Sequence, residues 1–301
     1  MGNLIAENSD GFLKTDIVDP KILIGADPEL FVFDKDKKEF ISAHDIFPGT
    51  KMIPFEVQDG MIQVDGTAFE FNVKPSSTPG QFLESISNVL SISSSIMRKR
   101  STALEFRAVP HVLYSKAYFD SLPEESKELG CDPDFNAYTG EPNPKPSTDL
   151  PLRTGSGHIH TGWRADGDKW EDDHFYNCRL MSIQLDCALF IPSLLWDNDD
   201  RRRDLYGNPG AFRPKSYGCE YRVLSNKWIS DPKLIKYVFS ATKRASEILF
   251  ENCRLAADKD IRDFLKDILS SPLKPKKTEL IDYVTMLEND FDFPVFPLEY
   301  L

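Results

Sequence analysis

Apolar and polar residues alternate in five separate segments of this chain, and each segment carries two polar residues two positions apart. These pairs are Asp27 and Glu29, Glu70 and Asn72, Glu105 and Arg107, His158 and His160, and Glu220 and Arg222. Because successive side chains of a β-strand point to opposite faces, each pair lies on one face and its apolar neighbours lie on the other. The pattern predicts strands that share a polar face. That face is either an ordinary wet surface or the wall of a site that binds metal and phosphate.

Three segments have apolar residues at helical spacing. One follows Pro75 and ends in a basic turn, one runs from Trp170 to Trp196, and one runs from Asp231 to Asp258 with a proline directly after its first residue. A capping residue before proline is typical of a helix start. Strands and helices follow one another without regular alternation, which predicts an α+β fold rather than a doubly wound parallel sheet.

Turn residues divide the chain into regions. We expect a flexible N-terminal arm at 1–20, a single domain at 21–270, and a C-terminal tail at 271–301 with one short helix. Two long loops are predicted inside the domain, a Pro-rich loop at 129–153 and an Arg-rich loop at 199–218. Long loops often carry function, and the Pro-rich loop is the expected lid that selects the substrate.

The charge and cysteine content exclude several classes of protein. The chain has 48 acidic and 36 basic residues and a net charge of -12, which argues against non-specific nucleic-acid binding. Its N-terminus lacks the pattern of a signal peptide, and its longest apolar stretch is too short to span a bilayer. Five cysteines without a CxxC pair predict neither a zinc ribbon nor a disulfide framework. We expect a cytoplasmic protein without nucleic-acid or membrane partners.

Four carboxylates stand among apolar strand residues: Asp27, Glu29, Glu70 and Glu220. Burying a charge without a partner is costly, so these groups need a cation if they are buried. Clustered carboxylates prefer hard ions, which favours Mg²⁺ or Mn²⁺ over a closed zinc site. The alternative for each carboxylate is an exposed strand face or an arginine partner.

The segment GSGHIHTGW places His158 and His160 on one side of a strand. The adjacent glycines would allow the backbone to approach a ligand closely. One imidazole could bind a metal while the other contacts phosphate. The isolated histidines His44, His111 and His174 are interpreted as structural.

A group of basic residues precedes the last polar pair. The triplet Arg201 to Arg203 is either a charged helix end or part of an anion site, and the residues do not decide between the two. Arg213 and Arg222 are the favoured anion ligands, with Lys215 between them, because guanidinium groups bind phosphates and carboxylates through paired hydrogen bonds.

Taken together, the segments GADPELFVFD, DGTAFEFN, GSGHIHTGW and YGNPGAFRPKSYGCEYRVLSNKW resemble the phage-encoded carboxylate-amine ligases, or type 2 amidoligases, of the glutamine synthetase-like superfamily. The resemblance implies a glutamine synthetase-like catalytic fold, in which a mainly antiparallel, curved sheet forms a funnel with helices on its outer face. Two departures stand out: Asp27 precedes a proline where a Glu-x-Glu pattern is usual, and Gly218 stands where glutamine synthetases carry an arginine. A phage-encoded member would act in the host cytoplasm.

The resemblance also implies roles for individual residues. Arg213 and Arg222 would be catalytic, and they would bind the nucleotide phosphates together with His158 and Lys215. The implied metal ligands are Asp27, Glu29, Glu70, His158, His160 and Glu220.

The implied reaction is ATP-dependent amide formation through an acyl phosphate, with release of ADP and phosphate and with Mg²⁺ or Mn²⁺ as the metal. Its substrates would be a small-molecule or peptide carboxylate and an amine. No GxGxxG turn or P-loop is present, so any nucleotide site is of another kind. Two alternatives stay open: a metal-dependent hydrolase, and a non-catalytic binding or virion-associated protein on the same fold.

Overall fold

The structure, a computed structural model, describes residues 21–127, 134–144, 151–163, 173–271 and 274–301. The predicted arm at 1–20 lies outside these residues. The strands of the described chain are β1 Leu23–Asp34, β2 Glu39–Ile41, β3 Phe55–Val57, β4 Gly60–Asp65, β5 Ala68–Val73, β6 Leu104–Arg107, β7 His111–Leu113, β8 Phe135–Asn136, β9 Leu152–Thr154, β10 Gly157–Gly162, β11 Ala211–Lys215 and β12 Gly218–Tyr221.

The α-helices of the same ranges are α1 Pro79–Arg100, α2 Lys116–Ser121, α3 Glu124–Lys127, α4 His174–Leu185, α5 Ile191–Ser193, α6 Asp200–Leu205, α7 Pro232–Phe250, α8 Lys259–Ser270 and α9 Lys277–Phe291. A π-helical turn, Asp186–Phe190, joins α4 to α5. Short 3-10 helices cover Asn226–Ser230, Leu255–Ala257 and Leu298–Tyr300. None of the helices in the described ranges has both the length and the apolar character that crossing a membrane requires.

The main sheet is antiparallel, with strand order β3-β4-β5-β1-β10-β12-β11-β8, and β2 and β6 also pair with β1. The long strand β1 lies near its middle because its first half pairs with β10 while its second half pairs with β5, β2 and β6. The predicted α+β class with a large antiparallel sheet is confirmed.

One face of this sheet is apolar and covers the main core. In each central strand, the residue between the two polar residues is buried on this face, as strand alternation requires. These residues are Pro28, Phe71, Ile159 and Tyr221, and on β1 Ala26 and Leu30 are buried on the same face. The polar pairs themselves lie on the opposite face.

Three helices cover the apolar face. Helix α1 packs on β4, β5 and β6, helix α4 packs on β11 and β12, and α7 packs against both helices. The predicted starts of α1 and α7 are confirmed by their caps. Thr78 accepts a hydrogen bond from the backbone of Gln81, and Asp231 accepts one from the backbone of Lys233.

Two predicted regions are corrected. The segment 199–218 is not a loop, because it contains α6 and the strand β11, which pairs with β12. The segment 271–301 is not a separate tail, because α9 buries Leu280 and Val284 in the main core. Tyr283 in α9 also donates a hydrogen bond of 2.8 Å to the carbonyl of Cys187. The prolines at the start of this segment suggested a tail, but its apolar residues at helical spacing pack against the main core.

The predicted Pro-rich loop at 129–153 is described only at 134–144 and 151–153. The first part contains β8, which pairs with β11 at the edge of the sheet, and the second contains the start of β9. Its expected role as a lid stays a prediction.

Candidate active site

Strand register brings the polar pairs of the central strands side by side. Asp27 on β1 lies opposite His158 on β10, and His160 lies opposite Glu220 on β12. On the other side of β1, Glu29 lies opposite Glu70 on β5. Side chains at directly opposed positions of antiparallel strands are close enough to interact. The sheet therefore gathers groups from distant parts of the chain on one polar face.

The first group, called here the histidine cluster, consists of Asp27, His160 and Glu220. One potential ligand atom from each residue lies within 4.8 Å of the other two. Nε2 of His160 is 3.0 Å from Oδ1 of Asp27. Nδ1 of His158 lies at the edge of this cluster, 3.3 Å from Oδ1 of Asp27 and 3.6 Å from Oε1 of Glu220.

Three basic side chains surround Glu220, which is completely buried. Nζ of Lys215 is 2.8 Å from Oε2 of Glu220, and Nη1 of Arg213 is 3.3 Å from the same oxygen. Nη1 of Arg222 pairs with Oε1, and its Nε lies 3.2 Å from Oδ2 of Asp134. The three cationic residues predicted for anion binding thus converge on one carboxylate beside the histidine cluster.

The second group, called here the carboxylate cluster, consists of Glu29, Asp65 and Glu70. One carboxylate oxygen from each residue lies within 4.8 Å of the other two. Oε2 of Glu29 also accepts a 2.7 Å hydrogen bond from the backbone of Ser156. The sequence interpretation missed Asp65. The signal was present, since Gln63 and Asp65 are two polar residues two apart in QVDG, the same pattern as in the other strands.

Burial and like charges raise the pKa values of the carboxylate cluster. Burial, together with the charge of Asp65, raises the pKa of Glu29 to about 7. Burial, followed by the charges of Asp27, Asp65 and Glu29, raises the pKa of Glu70 well above its usual range. Burial also raises the pKa of Asp65, against the opposing effect of Lys51. Full ionisation of this cluster at neutral pH therefore requires a cation.

The histidine cluster has the opposite electrostatic character. Burial by itself would raise the pKa of Asp27, but the charges of His160 and His158 outweigh it and lower this pKa well below its usual range. Burial opposes protonation of His160, yet Asp27 raises the pKa of this imidazole. Burial and the charge of Arg222 lower the pKa of His158 to about 4, which keeps its ring neutral at pH 7.

Both clusters fit a divalent cation. In the histidine cluster, Oδ1 of Asp27 and Nε2 of His160 are buried and form no hydrogen bond among the described residues, and carboxylate oxygens and imidazole nitrogens are both metal ligands. The carboxylate cluster offers only oxygens, which suit a hard ion. All six residues predicted as metal ligands lie in or directly beside the two clusters.

The fifth polar pair does not join the site. Glu105 and Arg107 pair with each other at 2.8 Å, and the guanidinium of Arg107 lies 3.3 Å from the centre of the Phe33 ring. Both side chains are 40% exposed, so this pair fits the ordinary wet surface that the pattern also allowed.

The triplet Arg201 to Arg203 lies in the short helix α6, which agrees with its interpretation as a charged helix end. Arg202 is buried and donates hydrogen bonds of 2.7 Å to the carbonyl of Val223 and 2.9 Å to that of Leu224. Arg203 donates to the carbonyl of Asp197 at 2.8 Å. Arg202 therefore holds the backbone after β12 in place, and Arg203 holds the backbone before α6.

The remaining sequence interpretations concern histidines and glycines. Nε2 of the buried His174 lies 2.9 Å from the carbonyl oxygen of Lys215, as expected for a structural residue. The glycines before His158 serve packing: a Cβ on Gly155 would lie 2.4 Å from Nδ2 of Asn226, and one on Gly157 would lie 2.4 Å from Nε1 of Trp228. Close approach of a ligand is therefore not the reason for these glycines.

Part of the amino-acid sequence is similar to a known protein family. Residues 172–261 match the family model described as Phage phiEco32-like COOH.NH2 ligase-type 2. This match confirms the resemblance drawn from the sequence. The family name supports the interpretation of the protein as a carboxylate-amine ligase. The matched residues include Arg213, Lys215, Glu220 and Arg222. The part of the site on β1, β4, β5 and β10 lies outside the matched residues. No curated protein matches the chain.

Proposed function

We propose that the protein is an ATP-dependent carboxylate-amine ligase that forms an amide through an acyl phosphate. One observation carries the proposal: two clusters of potential metal ligands adjoin on one sheet face, and three basic residues converge on a carboxylate at their edge. Three basic side chains beside two potential sites for divalent ions are suited to hold a polyphosphate.

The two clusters would hold Mg²⁺ or Mn²⁺. The ligands would be Glu29, Asp65 and Glu70 at one site, and Asp27, His160 and Glu220 at the other, with His158 beside the second. Bound divalent ions would neutralise the charge that builds up between a carboxylate and a triphosphate. Asp27 lies close enough to the carboxylate cluster to raise the pKa values of its members, so the two sites would be electrostatically linked.

Arg213, Lys215 and Arg222 would bind the phosphates. In the described structure they contact Glu220, and ion binding at that carboxylate would leave their charge available to an anion. Their positions on adjacent strands are set by backbone pairing, since Arg213 lies opposite Glu220 and Lys215 lies opposite Gly218. Such preorganised charges stabilise the transferring phosphoryl group without reorganisation during the reaction.

The reaction balances in two steps. An oxygen of the substrate carboxylate attacks the γ-phosphorus of ATP, and the bond to the bridging oxygen breaks to release ADP. The amine nitrogen then attacks the acyl carbon, the carbon–oxygen bond to phosphate breaks, and one amine proton is lost to solvent or a base.

An isotope experiment tests this proposal. The protein is incubated with Mg-ATP, a panel of carboxylic acids labelled with ¹⁸O in the carboxyl group, and hydroxylamine as the amine. We expect ADP, a hydroxamate, and phosphate that carries one ¹⁸O, because the attacking oxygen stays on phosphorus. Release of AMP and pyrophosphate, or activity without ATP, would contradict the proposal, and the second result would favour the hydrolase alternative.

A matched pair of variants connects the activity to the site. Arg213→Gln should abolish ADP release because it removes a cation beside Glu220. Arg201→Gln changes an exposed arginine of α6 and should leave ADP release unchanged. Equal activity of both variants would show that the basic residues beside Glu220 do not bind the phosphates.

A further inference from the structure

Tyr217 lies in the turn that joins β11 to β12, and its hydroxyl contacts a histidine of the site. The hydroxyl oxygen is 2.5 Å from Nδ1 of His160, and the two ring centres are 6.0 Å apart. The other nitrogen of the same imidazole, Nε2, is 3.0 Å from Oδ1 of Asp27. The ring of His160 is thus held at one nitrogen by Tyr217 and directed by the other into the histidine cluster.

The chemistry of this contact is unusual for a potential metal ligand. A ring nitrogen that binds a cation must be free of its proton, so the other nitrogen of a neutral imidazole must then carry one. A backbone carbonyl can only accept that proton in a hydrogen bond. A tyrosine hydroxyl can donate or accept, so Tyr217 can bond to Nδ1 whether the proton of the ring lies on Nδ1 or on Nε2.

We propose that Tyr217 is a positioning residue that keeps Nε2 of His160 directed into the histidine cluster and matches the tautomer change that accompanies cation binding. The inference rests on the proposed function, because it concerns the metal site described there. With no cation, Nε2–H faces Asp27, and the hydroxyl donates to Nδ1 of the neutral ring or accepts from Nδ1–H of the charged ring. With a cation at Nε2, Nδ1–H donates to the hydroxyl oxygen.

The backbone supports this role. The carbonyl of Tyr217 accepts a 3.0 Å hydrogen bond from the backbone N–H of Trp163, the residue that follows β10. The hairpin that carries Glu220 is therefore tied to the strand that carries His160 at both the main chain and the side chain. One turn thus sets the relative positions of two potential ligands of the histidine cluster.

Metal binding tests the inference. Mn²⁺ titrations followed by electron paramagnetic resonance are performed in a Glu29→Gln background, which weakens the carboxylate cluster. Tyr217→Phe keeps the ring and removes the hydroxyl, and we expect Mn²⁺ affinity to fall about 10- to 100-fold, as for other groups that orient a ligating histidine. Tyr118→Phe is the matched control. It removes a hydroxyl that accepts from the backbone of Ser42, away from both clusters, and should leave Mn²⁺ affinity unchanged.

A second background separates positioning from a general structural effect. When His160→Gln is already present, Tyr217→Phe should cause no further loss of Mn²⁺ affinity, because Tyr217 acts through that imidazole. A similar loss in both backgrounds, or unchanged affinity in Tyr217→Phe, overturns the inference while leaving the proposed function intact. Absence of Mn²⁺ uptake by the unsubstituted chain overturns the metal sites themselves.

The nitrogen resonances of His160 provide an independent measurement. At a Mg²⁺ concentration that saturates the parent protein but not the weaker variant, the ¹⁵N shifts should show the proton on Nδ1 in the parent protein, whereas Tyr217→Phe should show a mixture of tautomers. The same mixture in both proteins would contradict the assigned role.

Discussion

Glu29 on β1 lies directly opposite Glu70 on β5, and Asp65 brings a third carboxylate within 4.8 Å of both. Like charges at opposed positions destabilise an antiparallel pair, and burial increases the cost. The arrangement is therefore stable only when protons or cations reduce the negative charge. This relationship predicts that the stability of the carboxylate cluster depends on both pH and divalent ions.

Replacing Glu29 by Gln should stabilise the metal-free protein increasingly as pH rises from 5 to 8. The pKa of Glu29 is raised to about 7 in the folded protein, so folding favours the protonated form. The free energy of unfolding therefore falls as pH rises from the ordinary pKa of a glutamate through the raised pKa in the folded protein. A pKa shift of this size corresponds to about 3 kcal/mol at most. Urea unfolding in the presence of a chelator measures the difference between the two proteins.

The control for this experiment is Glu56→Gln, which changes an exposed carboxylate of the neighbouring strand β3. Its stability relative to the parent protein should not depend on pH in this way. If both variants behave alike, or if Glu29→Gln is less stabilising at pH 8 than at pH 5, the charge repulsion inferred for the cluster does not exist.

Divalent ions should stabilise the protein more at pH 8 than at pH 5.5. Cation binding to the carboxylate cluster requires the loss of protons, and the pKa of Glu29, raised to about 7, places the loss of its proton near neutral pH. The pKa of Glu70 is also raised, so this carboxyl gives up its proton less readily at low pH. At a metal concentration of about 100 times Kd the expected stabilisation is about 2.7 kcal/mol. Thermal unfolding with and without Mg²⁺ or Mn²⁺ tests this, and an equal shift in Tm at both pH values would be evidence against it.

Glu220→Gln should abolish ADP release and also destabilise the fold. The carboxylate is completely buried, and its removal leaves Arg213, Lys215 and Arg222 without their shared partner. Breaking a buried ion pair in this way costs about 3–5 kcal/mol. Chemical denaturation and an ADP assay, both at a temperature where the variant is folded, provide the two measurements.

A double variant separates the two effects of that change. Adding Lys215→Met to Glu220→Gln removes one unpaired cation, so part of the stability should return while ADP release stays absent. Return of the activity would show that Glu220 balances charge but does not take part in the reaction.

Arg202→Met should lower stability and leave the KM for ATP unchanged. The buried guanidinium donates to the carbonyls of Val223 and Leu224, and these acceptors would lose their partner at a cost of about 1–3 kcal/mol each. Denaturant unfolding and steady-state kinetics distinguish the roles. A large increase in KM without loss of stability would instead assign Arg202 to phosphate binding.

Much of the site was predictable because strand periodicity is a local property. The pairs Asp27 and Glu29, His158 and His160, and Glu220 and Arg222 each lie on one face, as their spacing requires. The same periodicity could not show that Glu105 and Arg107 lie away from the clusters, because it does not specify which strands are neighbours. It also could not show that the carboxylates divide into two groups.

The regions predicted wrongly have a common cause. Composition indicated a loop at 199–218 and a C-terminal tail with one short helix at 271–301, since both are rich in charged residues, proline or glycine. In the structure, backbone pairing with β12 makes residues 211–215 a strand, and contact with the main core makes α9 part of the fold. The core that α9 contacts comes from residues distant in sequence, and the hairpin of β11 and β12 is held in the sheet by the distant strand β10. Local propensity includes neither interaction.

The sequence by itself determined the α+β class, a helix after Pro75 and another capped by Asp231, and the shared face of each polar pair. It also determined which carboxylates and imidazoles are available to a divalent ion. Only the tertiary structure decided that Asp65 completes the carboxylate cluster, that Glu220 is shared by three cations, and that Tyr217 contacts His160. The physical reason is that side-chain alternation follows from the geometry of one strand, whereas contacts between strands depend on register and on the order of strands in the sheet.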